Sequence, residues 1–345
     1  MTRAAIVGAG SLGTIIGAMM TKGGRPVELV DTSQAHVQAL NSGGARISGH
    51  LTLRQPVRAI LPEQMQGPYD LVFLLNKQTA NPQVLAHLGR HLHDGSLVCT
   101  LQNGIPEPAV AAFLGRNRVI GGTVGFGATW LGPGQSSLTT TADVVRDHAF
   151  EIGEIDGVIR PRLTLARTYL ESVGRTRVLR DLMGVRWSKL LMNATFSGMS
   201  AALGCSFGDV LDERIAILAV IQIADEVVRA ASAEGHGMAP MQGEDFQMFA
   251  CPGDDATVIA MIHRIWGPHR MLRASMLQDL EKRQDTEISF INGLVCDTGR
   301  KHGFATPFND LVTRLVRDAQ SHRAVPGFDN IRQFADLLDA APASS

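Results

Sequence analysis

The 345-residue chain is short of cysteine, has almost no net charge and carries no long apolar run beyond its first twenty residues. Each shortage removes a class of function. Cys99, Cys205, Cys251 and Cys296 are scattered without a C-x-x-C pair, so no zinc site or disulfide framework is spelled out, and buried free thiols in a reducing compartment are expected. A formal charge of −1 gives no basic field for nucleic acid or an anionic membrane. The 11 histidines form no H-E-x-x-H pattern, and no Walker phosphate loop occurs, which leaves metalloprotease and P-loop chemistry without support. Past the N-terminus the longest apolar run lies near Ile215–Ile221, too short for a bilayer. A cytoplasmic protein with no metal, nucleic-acid or membrane partner is the expectation. The length exceeds what one core usually supports, so two domains are expected.

What is present is concentrated at the start. Ala4 to Val7 read as a short buried strand running into Gly8-Ala9-Gly10-Ser11-Leu12-Gly13, after which Thr14 to Met20 read as a helix. In this Gly-x-Gly-x-x-Gly order the first glycine permits a tight turn, the second lets a pyrophosphate approach the backbone, and the third lets helix pack on strand. The phosphates would sit on unpaired N–H groups at the helix start. With 36 glycines in the chain the motif alone is weak. The uncharged stretch Ala4–Met20 after Arg3 could also pass for a signal peptide or a marginal membrane span. The continuation decides: Pro26 to Val30 read as a second strand ending in Asp31, about 20 residues on, where the fingerprint places a carboxylate for the ribose hydroxyls.

Further strands are expected at Leu71–Leu75, followed by Lys77, and at Leu97–Leu101, followed by Asn103 and Gly104. The glycine loop, Asp31, Lys77 and Asn103 would thus share the carboxyl edge of a mostly parallel sheet, where ligands bind in open α/β folds. Lys77 alone could simply be solvated, and Asn103-Gly104 could simply be a turn. Residues 45–61 are expected to add a strand or hairpin, and the glycine-rich segment 119–156, with a turn at Gly132-Pro133-Gly134, to extend the sheet with antiparallel strands. A domain boundary is expected near 175–183, giving a dinucleotide-binding domain over 1–180, an all-helical domain over 181–330 and a C-terminal tail over 331–345.

In the second half, the helix Val185–Ser197 places Lys189, Asn193 and Ser197 at i, i+4 and i+8, on one face. Leu190, Leu191, Met192, Ala194 and Phe196 make most of the remaining surface apolar. Such a helix is usually buried, so its polar stripe must face partners or a wet cavity; the bland alternative is a lysine that snorkels to solvent. A long helix from Glu213 to Ala233 reads as core and interface. Residues 240–255 read as a loop or lid, and Met271–Leu280 as a helix containing Ser275. Asp285-Thr286 should cap a helix beginning at Glu287 and ending at Gly303; an acid in a first turn is also explained by the helix dipole alone. Thr306-Pro307 should start the next helix.

In sequence order, these motifs resemble the ketopantoate (2-dehydropantoate) reductase family along most of residues 3–315. The matching residues are Gly8-x-Gly10-x-x-Gly13, Lys77, Leu101-Gln102-Asn103-Gly104, Trp187-x-Lys189-Leu190-x-x-Asn193, Ser275-Met276-Leu277-Gln278-Asp279, Thr286-Glu287-Ile288 leading to Ile291-Asn292-Gly293, and Lys301-His302-Gly303 with Pro307. The resemblance implies a Rossmann-type α/β domain followed by an all-α domain with the active site in the cleft between them. It implies NAD(P)H-dependent reduction of a 2-oxo acid, ketopantoate to pantoate being the first expectation, and pantothenate biosynthesis as the setting. It makes Lys189 the general acid and Glu287 the residue that positions the substrate. Ser275 would bind the carboxylate end, Asn103 and Asn193 would line the substrate and nicotinamide site, and Lys77 would reach into the cleft. Hydride addition to a carbonyl does need a proton donor within hydrogen-bond reach. Burial would lower the pKa of Lys189 and a nearby carboxylate would raise it.

Two positions depart from the family pattern. Ser197-Gly198 stand where a substrate-contacting asparagine and a proline are common. Asp31 stands near where members using NADPH tend to carry a basic residue, which favours NADH over NADPH. A different hydroxy or keto acid as substrate, or a non-catalytic nicotinamide-binding sensor, stays open, as does a homodimer through the helical domain.

Overall fold

A computed structural model describes residues 2–240, 245–249 and 255–340. The chain divides into two compact units between Leu182 and Met183; Cys251 and much of the expected lid lie outside the described residues.

The first unit alternates strand and helix. In order they are β1 (Ala4–Val7), α1 (Ser11–Lys22), β2 (Glu28–Val30), α2 (Gln34–Gly43), β3 (Ala45–Gly49), β4 (Leu53–Gln55), β5 (Arg58–Ile60), β6 (Tyr69–Leu74), α3 (Asn81–Leu88), β7 (Leu92–Thr100), α4 (Glu107–Leu114), β8 (Val119–Val124), β9 (Ala128–Gly132), β10 (Gln135–Leu138), α5 (Ala142–His148), β11 (Phe150–Gly153), α6 (Leu163–Leu170) and β12 (Thr176–Leu179). Eight strands form one sheet in the order β12-β11-β8-β7-β6-β1-β2-β5, parallel at every pairing except β8 with β11. The core segments of its central strands, Ala4–Val7 in β1, 71–74 in β6 and 97–99 in β7, are apolar because both faces are covered. Ile6, Leu29, Leu71, Phe73 and Cys99 fill one core, and the alternating Ala5, Val7, Val30, Val72, Leu74 and Val98 fill the other, as the two-residue strand period requires.

From β1 the chain builds outward through β2 and then returns to β6 on the other side. The strand order therefore reverses between β1 and β6, the position at which open α/β sheets bind ligands.

The expectation that residues 119–156 only extend this sheet is corrected. β8 and β11 do join it, but β9 and β10 form a hairpin through Gly132-Pro133-Gly134 that belongs to a second sheet, β4-β3-β10-β9. Within it β3 pairs in parallel with β10 (Arg46 opposite Gln135), and the sheet packs on α1.

The second unit is helical: α7 (Leu182–Met192), α8 (Gly198–Leu203), α9 (Phe207–Asp212), α10 (Arg214–Ala233), α11 (Asp255–Trp266), α12 (Ser275–Glu281), α13 (Asn292–His302), α14 (Pro307–Ser321) and α15 (Ile331–Ala340). Helix α10 packs against α13, α14 and α15. Where a tail was expected from 331, α15 forms instead and buries Phe334 completely. The start expected for α13 also moves: residues 288–290 form a short 3-10 turn and the α-helix begins at Asn292.

Candidate active site

In the first unit the three fingerprint glycines do three different jobs. Gly8 has φ +95°, and a Cβ there would lie 2.3 Å from the backbone nitrogen of Asn76; a Cβ on Gly13 would lie 2.3 Å from the carbonyl oxygen of Gly8. Side chains are excluded at both by close backbone approach. A Cβ on Gly10 would meet nothing within 4 Å, so this position faces open space. Gly10 is also the N-cap of α1, which has no capping side chain and no acid in its first turn. Ser11 and Leu12 are only partly covered. An open glycine beside uncapped helix N–H groups is the arrangement a pyrophosphate requires. Asp31 follows β2 directly, and its Oδ1 accepts from the N–H of Ser33 at 2.9 Å. The uncapped N–H groups at Gly10–Leu12 suit an anion and the Asp31 carboxylate suits hydroxyl donors, so the chemistry of these residues fits a dinucleotide.

Lys77 and Asn103 follow β6 and β7 and reach the same edge. Their backbone is fixed by side-chain amides that sequence reasoning missed. Asn76 Nδ2 donates to the Lys77 carbonyl and to Asn81 Oδ1. Gln102 Nε2 donates to the Asn76 carbonyl and to Asn81 Oδ1, and Gln78 Nε2 donates to the Asn103 carbonyl at 2.6 Å. The only signal was the density of Asn and Gln around both strand ends. Gly104 has φ +74°, so Asn103-Gly104 is also a turn.

In the second unit Lys189, Asn193 and Ser197 are half-buried on a helix whose other residues from Leu182 to Leu203, Met192 apart, are buried. The helix is not regular. Asn193–Ser197 form one π-helical turn between α7 and α8. In a regular α-helix residues eight apart drift by about 80° around the axis; the wider i→i+5 turn reduces that drift and holds Ser197 closer to the line of Lys189 and Asn193.

A buried polar chain grips this turn. Asn292 Nδ2 donates to the Ala194 carbonyl at 3.0 Å and to Asn309 Oδ1 at 2.9 Å. The Glu226 carboxylate in turn accepts from the Phe308 N–H, the Asn309 N–H and Asn309 Nδ2 at 2.7–2.9 Å. Burial pushes the Glu226 carboxyl up to about 7 against the pull of these hydrogen bonds, with nearby Asp310 adding to the rise. A Cβ on Gly198 would lie 2.8 Å from Asn292 Oδ1, so a glycine at this departure from the family pattern makes room for Asn292.

Ser275 is exposed and is the first residue of α12, so the expected helix start at Met271 is corrected. The preceding N–H, of Ala274, donates to the buried Ser200 Oγ on α8 at 3.2 Å, which ties the start of α12 to α8. Glu287 is half-buried and stands at the N-cap position of the 3-10 turn without a capping side-chain bond. With no α-helix starting there, the helix dipole does not account for this acid. Asn292, five residues on, links the segment to the π-turn.

Gly204-Cys205-Ser206-Phe207-Gly208 has the Gly-x-Ser-x-Gly spacing of a nucleophile elbow, but it joins two helices. Ser206 is the N-cap of α9, with its Oγ accepting from the Asp209 N–H and donating to the Asp209 carboxylate. Cys205 and Cys296 are buried, and burial raises both thiols to about 12, which disfavours the thiolate that nucleophilic chemistry needs. Among the described residues no group of His, Cys, Asp or Glu could hold a metal ion, and no helix is long and apolar enough to cross a membrane.

Comparison with known proteins gives one pattern over both units. Residues 4–151 match the family model described as ketopantoate reductase PanE/ApbA, and residues 181–320 match the model of its C-terminal part. A 2-dehydropantoate 2-reductase of Archaeoglobus fulgidus is 28% identical over 324 residues, covering 92% of this chain and 98% of that one. The crystal structure of a 2-dehydropantoate 2-reductase from Geobacter metallireducens has a TM-score of 0.78 at 26% identity, covering 92% and 99%. The ternary structure of a D-mandelate dehydrogenase with NADH and anilino(oxo)acetate shares the fold, with a TM-score of 0.80 at 23% identity and coverage of 93% and 99%.

Proposed function

The chain belongs to the ketopantoate reductase PanE/ApbA family, and from that premise we propose that it reduces a 2-oxo acid to a 2-hydroxy acid, with ketopantoate to pantoate as the first candidate. The observation that carries this reading is the half-buried stripe Lys189–Asn193–Ser197 on an otherwise buried helix, because a reductase needs a fixed proton donor and a binding protein does not. The coenzyme is a reduced nicotinamide dinucleotide, which when bound supplies hydride to the carbonyl carbon. Gly8, Ala9, Gly10, Ser11, Leu12 and Gly13 form its phosphate loop, Asp31 takes its ribose hydroxyls, and Lys77 and Asn103 border its nicotinamide end. Lys189 gives its ammonium proton to the carbonyl oxygen as that oxygen becomes an alkoxide, so the product hydroxyl is formed without a free anion. Asn193 and Ser197 offer hydrogen bonds along the same face, Ser275 binds the carboxylate of the substrate, and Glu287 orients its other end. Pantothenate biosynthesis is then the setting, and the buried free thiols Cys99, Cys205 and Cys296 suit a cytoplasmic enzyme.

The test is loss of absorbance at 340 nm when NADH or NADPH is mixed with ketopantoate and a panel of other 2-oxo acids. Turnover of ketopantoate well above the panel supports the first candidate. Activity only on another acid keeps the chemistry and moves the substrate, a second reading favoured by Ser197 and Gly198. Coenzyme binding without turnover of any acid overturns the reductase reading in favour of a sensor.

The coenzyme preference follows from Asp31. A carboxylate beside the ribose repels a 2′-phosphate while accepting from 2′- and 3′-hydroxyls, an effect on the order of 1–3 kcal/mol for charges near a protein surface. NADH should therefore exceed NADPH in kcat/KM by about tenfold or more. Asp31→Asn keeps an acceptor for the Ser33 N–H but removes the charge, and should shrink that ratio about tenfold. An unchanged ratio would show that Asp31 does not select the coenzyme.

A further inference from the structure

The hydrogen bonds around the glycine loop show a device that the fingerprint does not contain. Gly8 and Ala9 both donate their N–H groups to the Val30 carbonyl, at 2.9 and 3.2 Å. The Ala9 carbonyl receives two bonds at 2.8 Å, from Thr14 Oγ1 and from His36 Nε2. His36 lies on α2 and is completely buried, as is Thr14. Its other ring nitrogen, Nδ1, accepts from the N–H of Gly134 in the β9–β10 turn at 2.9 Å, and its ring meets the edge of Trp130 on β9 at 4.5 Å between centroids.

The tautomer follows from this geometry. A nitrogen that accepts from an N–H carries no proton, so the single proton of a neutral ring is on Nε2 and is donated to Ala9. Burial lowers the pKa of His36, which favours that neutral form.

Peptide planarity makes the contact consequential. In a trans peptide the carbonyl and the following N–H point in opposite directions. Holding the Ala9 carbonyl inward therefore turns the Gly10 N–H outward, into the open space beside α1.

We infer that His36 is a positioning residue of the coenzyme site, which aims the Gly10 N–H at the pyrophosphate by holding the Ala9 carbonyl and is itself held by the β9–β10 hairpin. The inference rests on the reading of Gly8–Gly13 as the phosphate loop.

Two substitutions separate aiming from mere bracing. His36→Gln can place an amide N–H near the position of Nε2 and keep the bond to Ala9. His36→Asn can keep an acceptor for Gly134 but does not reach Ala9. Dissociation constants are read by fluorescence titration for NADH, and by displacement of NADH for ADP and adenosine. His36→Asn should weaken NADH and ADP about tenfold or more while leaving adenosine, which has no phosphate, within twofold. His36→Gln should recover most of the loss. Thr14→Val, which removes the second donor to Ala9 at nearly constant volume, should weaken ADP by a smaller factor, and it serves as the test should His36→Asn fail to fold.

Equal weakening of ADP and adenosine, or rescue by Asn rather than Gln, would assign His36 to the hairpin alone and overturn the inference. Gly10→Val is the control on the underlying reading. If it leaves NADH binding intact, the phosphate loop itself is misassigned. If it abolishes binding while His36→Asn and Thr14→Val do not weaken it, only the role of His36 falls.

Discussion

Replacing Lys189 by alanine should lower kcat by two to four orders of magnitude, about the range that a positioned general acid contributes, while NADH still binds with its wild-type affinity. Two observations set this expectation. Lys189 is half-buried on a helix whose neighbouring side chains are mostly buried, so its reach is limited and its place is fixed by the backbone. The chain also has only five lysines, Lys22, Lys77, Lys189, Lys282 and Lys301, against 32 basic residues of both kinds. Its ordinary cation is arginine, which holds its proton at every physiological pH and cannot give it up. A lysine on a buried helix of such a chain points to chemistry that arginine cannot perform. Lys189→Arg should accordingly be nearly as inactive as Lys189→Ala despite keeping the charge. Single-turnover oxidation of NADH together with a fluorescence titration of coenzyme binding checks both variants; a kcat within threefold of wild type for either would remove Lys189 from the proton step.

The second large effect concerns stability and lies at Glu226. Its carboxyl stands at about 7 in the folded protein against an ordinary 4.5. At about 1.4 kcal/mol per pH unit, that difference is worth up to about 3 kcal/mol. The sign follows from linkage: a carboxyl raised by folding binds its proton more tightly in the native state, so its contribution is fully present below about pH 4.5 and is lost as pH rises through about 7. Glu226→Gln removes the titration and keeps one acceptor for the start of α14. Urea unfolding, followed through Trp187 and Trp266 in the helical unit, should show wild type losing stability between pH 5 and pH 8 relative to the variant. Parallel pH dependences for the two proteins would show that Glu226 is not protonated across this interval. Because Glu226 holds Asn309, Asn309 holds Asn292 and Asn292 holds the Ala194 carbonyl, the same substitution tests how firmly the π-turn is set.

The parts of the site that were legible in the sequence are those written in local spacing. Gly8, Gly10 and Gly13 with Asp31 form one strand–turn–helix–strand unit, and Lys189, Asn193 and Ser197 repeat at helical intervals, so both groups could be read without any long-range pairing. Three features could not. The π-turn at Asn193–Ser197 needs an i→i+5 bond that no residue type demands. The amides Asn76, Gln78, Asn81 and Gln102 act as a set only because β6 and β7 lie side by side. The second sheet joins β3 to β10, and nothing in a strand's own sequence names so distant a partner. Spacing alone does not make a site either: Gly204-Cys205-Ser206-Phe207-Gly208 has the elbow spacing, but Ser206 caps a helix.

That second sheet also sets the order in which the protein can be completed. The bond from Gly134 to His36 spans 98 residues, and closing a free loop of that length costs about 4 kcal/mol of chain entropy. Strands β1 and β2 and helices α1 and α2 lie within the first 43 residues and can assemble as soon as they are made. His36 must then wait for Gly134, which at about 5–20 residues per second leaves the ribosome about 5–20 seconds later. During that interval His36 lacks the Gly134 N–H that holds its ring, and the edge of β3 that later receives β10 stands unpaired, the kind of surface that invites wrong association. The docking of one short hairpin thus pairs the open edge of β3 and fixes the His36 ring beside the glycine loop in the same event.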